Sequence, residues 1–293
     1  MSLAPAVRFD LAPWTFVIPD SAREQSSSLQ SGLNDDLMAA LEGRLGTPFR
    51  RSRHATTWKV LIAGANGEAT NVFVKQLDAP HGLVARAKAM SRAKRCEHVL
   101  RICDSLRSHG FGVPSVLLTG ENRDTGSEII VTSEAPGFMV TRWMNPVYRN
   151  DVNTRRRILR RLGEEVARLH KSGYIHGDLT PYNVFATDDV PPTITFIDHE
   201  GTEKTSAASV NVARSRMRNL MQLGHFDIPG LSATDKLRVF ASYAAAIGWS
   251  KRAARQSLLR LAKMIERRRK RDRLIERRAP RTEIIAGRRA ARG

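Results

Sequence analysis

The segment His176-Gly177-Asp178-Leu179-Thr180-Pro181-Tyr182-Asn183 sets an Asp and an Asn five positions apart, and Phe196-Ile197-Asp198 brings out a second Asp fifteen positions later. Phosphoryl transfer from ATP asks a protein for such a set, because the reaction needs positioning and charge neutralisation more than covalent help. In that chemistry Asp178 is the base that takes the proton of an attacking hydroxyl, and Asn183 and Asp198 are ligands of a magnesium ion. The plain alternative is that Asp and Asn close turns by bonding their own backbone. Context favours the chemical reading. Val184-Phe185-Ala186 and Ile194-Thr195-Phe196-Ile197 read as two short strands around the turn residues Thr187-Asp188-Asp189 and Pro191-Pro192. A loop followed by such a hairpin delivers Asp198 at its far end.

Other elements must hold the nucleotide. Asn71 to Leu77 alternates like a strand, and Lys75 on it is placed to pair the α- and β-phosphates, against the reading of a solvated lysine on an edge strand. A helix is predicted over Val84 to His109, with Cys96, Val99, Cys103 and Leu106 on one face and a stop at Gly110. Glu97 on that helix is the expected partner of Lys75, with Glu68 and Asp104 as substitutes. No G-x-G-x-x-G precedes Lys75. Gly64-Ala65-Asn66-Gly67 is too close to the lysine and reads as an Asn-Gly hairpin turn. The phosphate-covering turn is therefore placed at Arg50 to Thr56, where backbone N–H groups, the Ser52 and Thr56 hydroxyls and arginines could meet phosphate oxygens. An ordinary basic surface turn is the alternative. Glu128 to Ser133 reads as a strand leading into Glu134-Ala135-Pro136-Gly137, a hinge whose backbone at Glu134 and Ala135 would bond adenine, or a plain loop.

A helix over Thr154 to Lys171 precedes the catalytic loop, capped by Asn153 or Thr154 and ended at Ser172-Gly173. Ile158, Leu162, Val166 and Leu169 form its packing stripe. His170 is assigned packing or surface roles, and His176 braces the loop.

The catalytic and metal segments resemble those of the protein-kinase-like fold. Gly177 stands where many protein kinases carry the arginine that senses a phosphorylated loop, and Thr180 where serine/threonine kinases carry a lysine. Both departures imply an always-active enzyme with a non-protein acceptor. The stretch Glu164 to Asp178 further resembles the lipopolysaccharide core kinase family, as do Leu106 to Ser115, Arg218 to Leu223, and Leu231 to Phe240 with Tyr243. The likeness runs from about Pro48 to Trp249. It implies an α+β, two-lobed fold with a small antiparallel-sheet lobe and a larger helical lobe, using ATP and Mg²⁺ to phosphorylate Kdo or heptose of the inner core. Asp198-His199-Glu200 departs from the usual Asp-Phe-Gly. The implied organisation is an N-terminal extension (1–47), a nucleotide-binding lobe (48–135), a catalytic lobe (136–250) and a basic helical tail (251–293). Alternatives are a small-molecule kinase of the aminoglycoside or choline type, a protein kinase, or a pseudokinase scaffold binding membrane or RNA. Retention of Lys75, Asp178, Asn183 and Asp198 argues against the scaffold.

Composition agrees. The chain of 293 residues is long enough for a substantial core. Its two cysteines form no disulfide framework or metal cluster, and Cys96 and Cys103 fit one packing face in a reducing cytoplasm. No secretory leader opens it, and no apolar run approaches the ~20 residues that span a bilayer. Of the formal charge of +19, most lies from Lys251 onward, where 17 Lys or Arg face 4 acidic residues. Leu258, Leu261, Ala262 and Ile265 make a thin apolar stripe there, the pattern of a helix lying on an anionic membrane. That predicts a peripheral protein at the cytoplasmic face. A solvated tail or nonspecific nucleic-acid binding is the alternative.

Overall fold

The computed structural model of the chain describes residues 7–22, 39, 42, 44, 48–52, 55–63, 69–79, 94–145, 151–206 and 211–278, without the side chains of 62, 63, 69 and 274–278. The Gly64 to Gly67 turn, Glu68, residues 84–93 of the predicted helix, Arg53 and His54, and residues 279–293 of the tail lie outside the described residues. The chain forms two compact units. One comprises Met1–Phe138 with Thr193–Thr202, the other Met139–Pro192 with Glu203–Gly293.

Unit 1 is built on a seven-stranded antiparallel sheet. Its strands are β1 (Val7–Leu11), β2 (Trp14–Ile18), β3 (Arg50–Arg51), β4 (Ala55–Ala63), β5 (Ala69–Leu77), β6 (Val116–Asn122) and β7 (Glu128–Ser133). Their order is β1-β2-β6-β7-β5-β4-β3. The alternation that marked the strands decides their faces. Trp14, Phe16, Trp58, Val60, Val72, Val74, Ile129 and Val131 fill one core. On the other face, Ala55, Leu77, Val116 and Ile130 pack with helix α1 (Arg95–Ser108) through Cys96, Val99, Leu100 and Cys103. Both cysteines are buried in this core. The β1–β2 hairpin, which falls in the expected N-terminal extension, is continuous with the sheet through β2 and β6. Glu128 fixes α1: its carboxylate accepts the Cys96 backbone N–H at 2.8 Å and Arg95 Nε at 3.0 Å, which places a negative charge at the helix's positive end.

Unit 2 is helical. After the short strand β8 (Phe138–Met139) come α2 (Val140–Met144) and α3 (Val152–Lys171). The short strands β9 (Tyr174–Ile175), β10 (Val184–Ala186), β11 (Ile194–Phe196, part of unit 1) and β12 (Glu203–Lys204) follow. Helices α4 (Val212–Gly224), α5 (Ala233–Ile247) and α6 (Lys251–Arg278) complete it. The cap of α3 is Asp151, not Asn153 or Thr154: its carboxylate accepts the N–H groups of those two residues. Asp151 sits one residue before the helix, where a side-chain oxygen can reach the second and third amides. The stop at Gly173 is left-handed as expected, with φ +84°. Gly163 lets α3 and α5 meet, since a Cβ there would lie 2.3 Å from the Val239 carbonyl.

The apolar stripe of α6 corrects one expectation. Leu258, Leu261, Ala262 and Ile265 line a cavity with residues of α4 and α5, and the end of Ile265 approaches Gly224. Arg269 donates to the His225 carbonyl at 2.9 Å and pairs with Asp227. The stripe turns inward because burying its side chains against the apolar surface of α4 and α5 removes both from water. Among the described residues, no helix is long and apolar enough to cross a membrane.

Candidate active site

Lys75 sits on β5, which pairs with β4 on one side and β7 on the other. It is therefore on a central strand, not an edge. Its ammonium meets Asp198 Oδ1 at 2.8 Å and also pairs with Glu200. Two of the expected nucleotide-site residues, 123 positions apart, are thus in direct contact. Burial alone would push the Lys75 pKa down, but the two carboxylates outweigh it and hold it above the ordinary lysine value.

The turn carrying Asp198 is held by unit 1 itself. Strand β11 reaches it, and Phe196 N–H donates to the Gly112 carbonyl at 2.9 Å. A Cβ on Gly112 would lie 2.4 Å from the Ile194 carbonyl, so this approach requires glycine. Asp198 then adopts φ 68° and ψ 60°, the only described non-glycine residue with positive φ. Asp is among the few residues that visit this region. His199 is buried beneath the turn, with Nε2 donating to the Phe196 carbonyl and Nδ1 facing the Thr202 hydroxyl. His98 of α1 contacts the Thr202 carbonyl at 2.9 Å. The result is a braced turn that presents Asp198 and Glu200 together.

Glu97 is not brought to Lys75. Among the described residues no ion pair joins them, and Glu97 lies in the first turn of α1, where a carboxylate suits the helix dipole. Asp104 pairs with Arg107 instead. Glu200 supplies the second carboxylate and was missed. Its only signal was an acid two positions after Asp198, where Asp-Phe-Gly would carry glycine.

Ser52 spends its hydroxyl locally, bonding the Ala55 carbonyl and N–H at 3.1 Å. Thr56 is half-buried on β4, opposite Gln76. Glu134 turns its carboxylate to Lys59 and Asn71, both at 2.9 Å, while Ala135 is buried.

In unit 2, Asp178 is exposed and Asn183 buried. The Asn183 amide nitrogen donates to Asp178 twice, to its carbonyl at 3.0 Å and its carboxylate at 3.1 Å. With the nitrogen committed, the amide oxygen is the end left for a cation. Gly177 takes φ +62° to enter the loop. A buried chain of bonds supports it from behind. Tyr243 of α5 donates to His170 Nδ1 at 2.9 Å, and His170 Nε2 donates to Asn219 Oδ1 at 3.1 Å. The same oxygen accepts the His176 backbone N–H, and Asn219 reaches Gln222, whose amide donates to the Gly177 carbonyl. Burial pushes the His170 pKa down to about 4, so the ring is neutral and can accept at one nitrogen while donating from the other. His170 is a brace, not a surface residue.

No group of three or more His, Cys, Asp or Glu forms a ready-made metal cage among the described residues. A comparison with curated proteins returned no match. The profile of the lipopolysaccharide kinase (Kdo/WaaP) family matches residues 84–243, which is more than half of the chain and includes Asp178, Asn183 and Asp198. The chain therefore belongs to the lipopolysaccharide kinase (Kdo/WaaP) family and is a kinase, a phosphotransferase.

Proposed function

We propose that the protein transfers the terminal phosphoryl group of ATP, with magnesium, to a sugar hydroxyl of the lipopolysaccharide inner core, on Kdo or heptose. The observation that carries this reading is the contact of Lys75 with Asp198, a strand ammonium against the carboxylate expected to hold the metal. Hard carboxylate and amide oxygens are the donors magnesium prefers. Asn183 and Asp198 would hold it, and Glu200 shares Lys75 with Asp198. Magnesium, when bound, neutralises charge on the phosphates. Lys75 binds and aligns the phosphate oxygens, and its raised pKa keeps it charged for that task. Asp178 orients the acceptor hydroxyl and takes its proton. The Ser52 turn and the Glu134–Ala135 backbone are the candidates for phosphate and adenine contacts.

The acceptor is membrane-anchored and anionic, and α6 suits it. Arg252, Arg255, Arg260, Lys263, Arg267 and Lys270 are exposed along the helix, where each cation near an anionic surface contributes on the order of 1 kcal/mol. This supports a peripheral place at the cytoplasmic face of the membrane.

The test is transfer of labelled phosphate from ATP to purified inner-core lipopolysaccharide. Asp178→Ala is expected to lower turnover by about 10²–10⁴-fold while nucleotide binding is retained. Full turnover in that variant would remove Asp178 from the role of base, and no transfer by the unaltered chain to any Kdo- or heptose-bearing acceptor would overturn the substrate class.

A further inference from the structure

Two cavities in unit 2 run together along α5 and α6. One, of about 220 Å³, lies among residues of α2 to α6, and the other, of about 420 Å³, lies along α5 and α6. Leu237, Phe240 and Leu258 line both. The α5 wall consists of Leu237, Phe240, Ala241, Ala244 and Ala245, at three- and four-residue spacing on one helix face. Ala254 and Leu258 line it from α6. Trp249, at the joint of the two helices, packs on Tyr243 at 5.4 Å and Phe240 at 6.1 Å between ring centroids. Its ring also lines the outer groove.

The polarity is lopsided. In the inner cavity, Lys236 already gives its ammonium to the Gly224 and Phe226 carbonyls, at 3.1 and 2.9 Å. An occupant finds only hydrocarbon there. The outer groove, in contrast, carries Lys251 and Arg255 on its lining, both exposed. Neighbouring Arg252 is exposed too. A hydrocarbon trough with cations at one part of its wall is complementary to an amphipath with a long apolar chain and an anionic head. A neutral apolar ligand would leave the cations unused, and a free anion would leave the trough unused.

We propose that this groove takes one acyl chain of an anionic bilayer phospholipid, with its headgroup against Lys251 and Arg255. The site would convert a purely electrostatic approach of α6 to the membrane into a docked one. The proposal rests on the reading of α6 as facing an anionic bilayer, and its test separates the two.

The full chain is titrated with cis-parinaric acid, a fluorescent long-chain fatty acid, in the absence of vesicles. Saturable binding is expected, weakened at least about tenfold by Ala241→Trp or Ala245→Trp. Both alanines are exposed on α5, so the added bulk enters the groove rather than the core, and the unfolding temperature is expected to hold. Phosphatidylglycerol vesicles should bind the unaltered chain more tightly than phosphatidylcholine vesicles, and Arg255→Glu should reduce that preference. Probe binding equal in the unaltered chain and both tryptophan variants overturns the proposal, as does the absence of saturation. Salt-sensitive vesicle binding that neither tryptophan changes would leave the bilayer reading of α6 standing and remove the groove from it. Self-association lost in the variants would assign the groove to a second copy instead and equally overturn the lipid. Should a variant unfold, a diazirine-bearing fatty acid cross-linked to the unaltered chain decides: labelled peptides from residues 233–262 support the site, and labelling confined elsewhere overturns it.

Discussion

Lys75 shows how a single charge is kept in place inside a protein. Its side chain is 27% exposed, on a strand flanked on both sides, and desolvation there favours the neutral amine. Asp198 and Glu200 reverse that preference. Glu200 is therefore a positioning residue for Lys75, the role expected of Glu97. Glu200→Gln is expected to weaken ATP binding about tenfold, the scale of one charge-assisted hydrogen bond, whereas Glu97→Gln should change it less than about twofold. Isothermal titration with ATP reads both, and a larger loss in the Glu97 variant would restore the helix acid as the partner. Sequence singled out Lys75, Asp178, Asn183 and Asp198 by patterns of fixed spacing, and the structure brings Lys75 to Asp198 and Asn183 to Asp178. It took Glu97, with Glu68 and Asp104 as substitutes, for the partner of Lys75 and did not weigh Glu200. Helical periodicity tells which face of α1 is buried, not which strand residue that face meets, and an acid in place of glycine carries no pattern of its own.

At the scale of elements, the loop of Asp178 is held by hydrogen bonds from the helices behind it. His170, Asn219 and Tyr243 connect α3, α4 and α5 to its backbone, and they do so with a neutral imidazole. The folded chain holds the His170 pKa at about 4, from an ordinary 6.5, so the unfolded chain binds this proton first. The group's contribution is complete above the ordinary value and is lost as pH falls from there toward the folded one. The loss amounts to about 2 kcal/mol by about pH 5. Urea unfolding should accordingly show the stability gap between the unaltered chain and His170→Gln shrinking by about that amount from about pH 7 to about pH 5. A gap that stays constant would mean the ring titrates alike in the folded and unfolded chain and is not held neutral by burial. This network was not legible beforehand, because its members lie 49 and 73 positions from His170 and polar residues leave no periodic trace. Strands β5, β7 and β10 and the stop of α3 were legible, since alternation and glycine act locally. The β1–β2 hairpin had its own signal in Trp14-Thr15-Phe16-Val17-Ile18, obscured by the Ser-, Gln- and Pro-bearing residues around it.

Over the whole molecule, chain order and contact order part company. Thr193–Thr202 follows the catalytic loop in sequence, yet its contacts belong to the sheet unit, where Gly112, His98 and Lys75 hold it. The helical tail likewise was readable as basic but not as docked: the stripe Leu258 to Ile265 fits a membrane surface or a protein groove equally well, and only the apolar surface of α4 and α5 decides. The account as a whole stands on Asp198 serving the nucleotide's metal from that unit. Titration of ATP onto the unaltered chain and Asp198→Ala, each with magnesium and with EDTA, tests this most directly. The unaltered chain is expected to bind ATP at least about tenfold more tightly with magnesium than without, and the variant to bind equally weakly in both. Magnesium-dependent binding preserved in Asp198→Ala would contradict the assignment of this turn as the metal-bearing half of the active site.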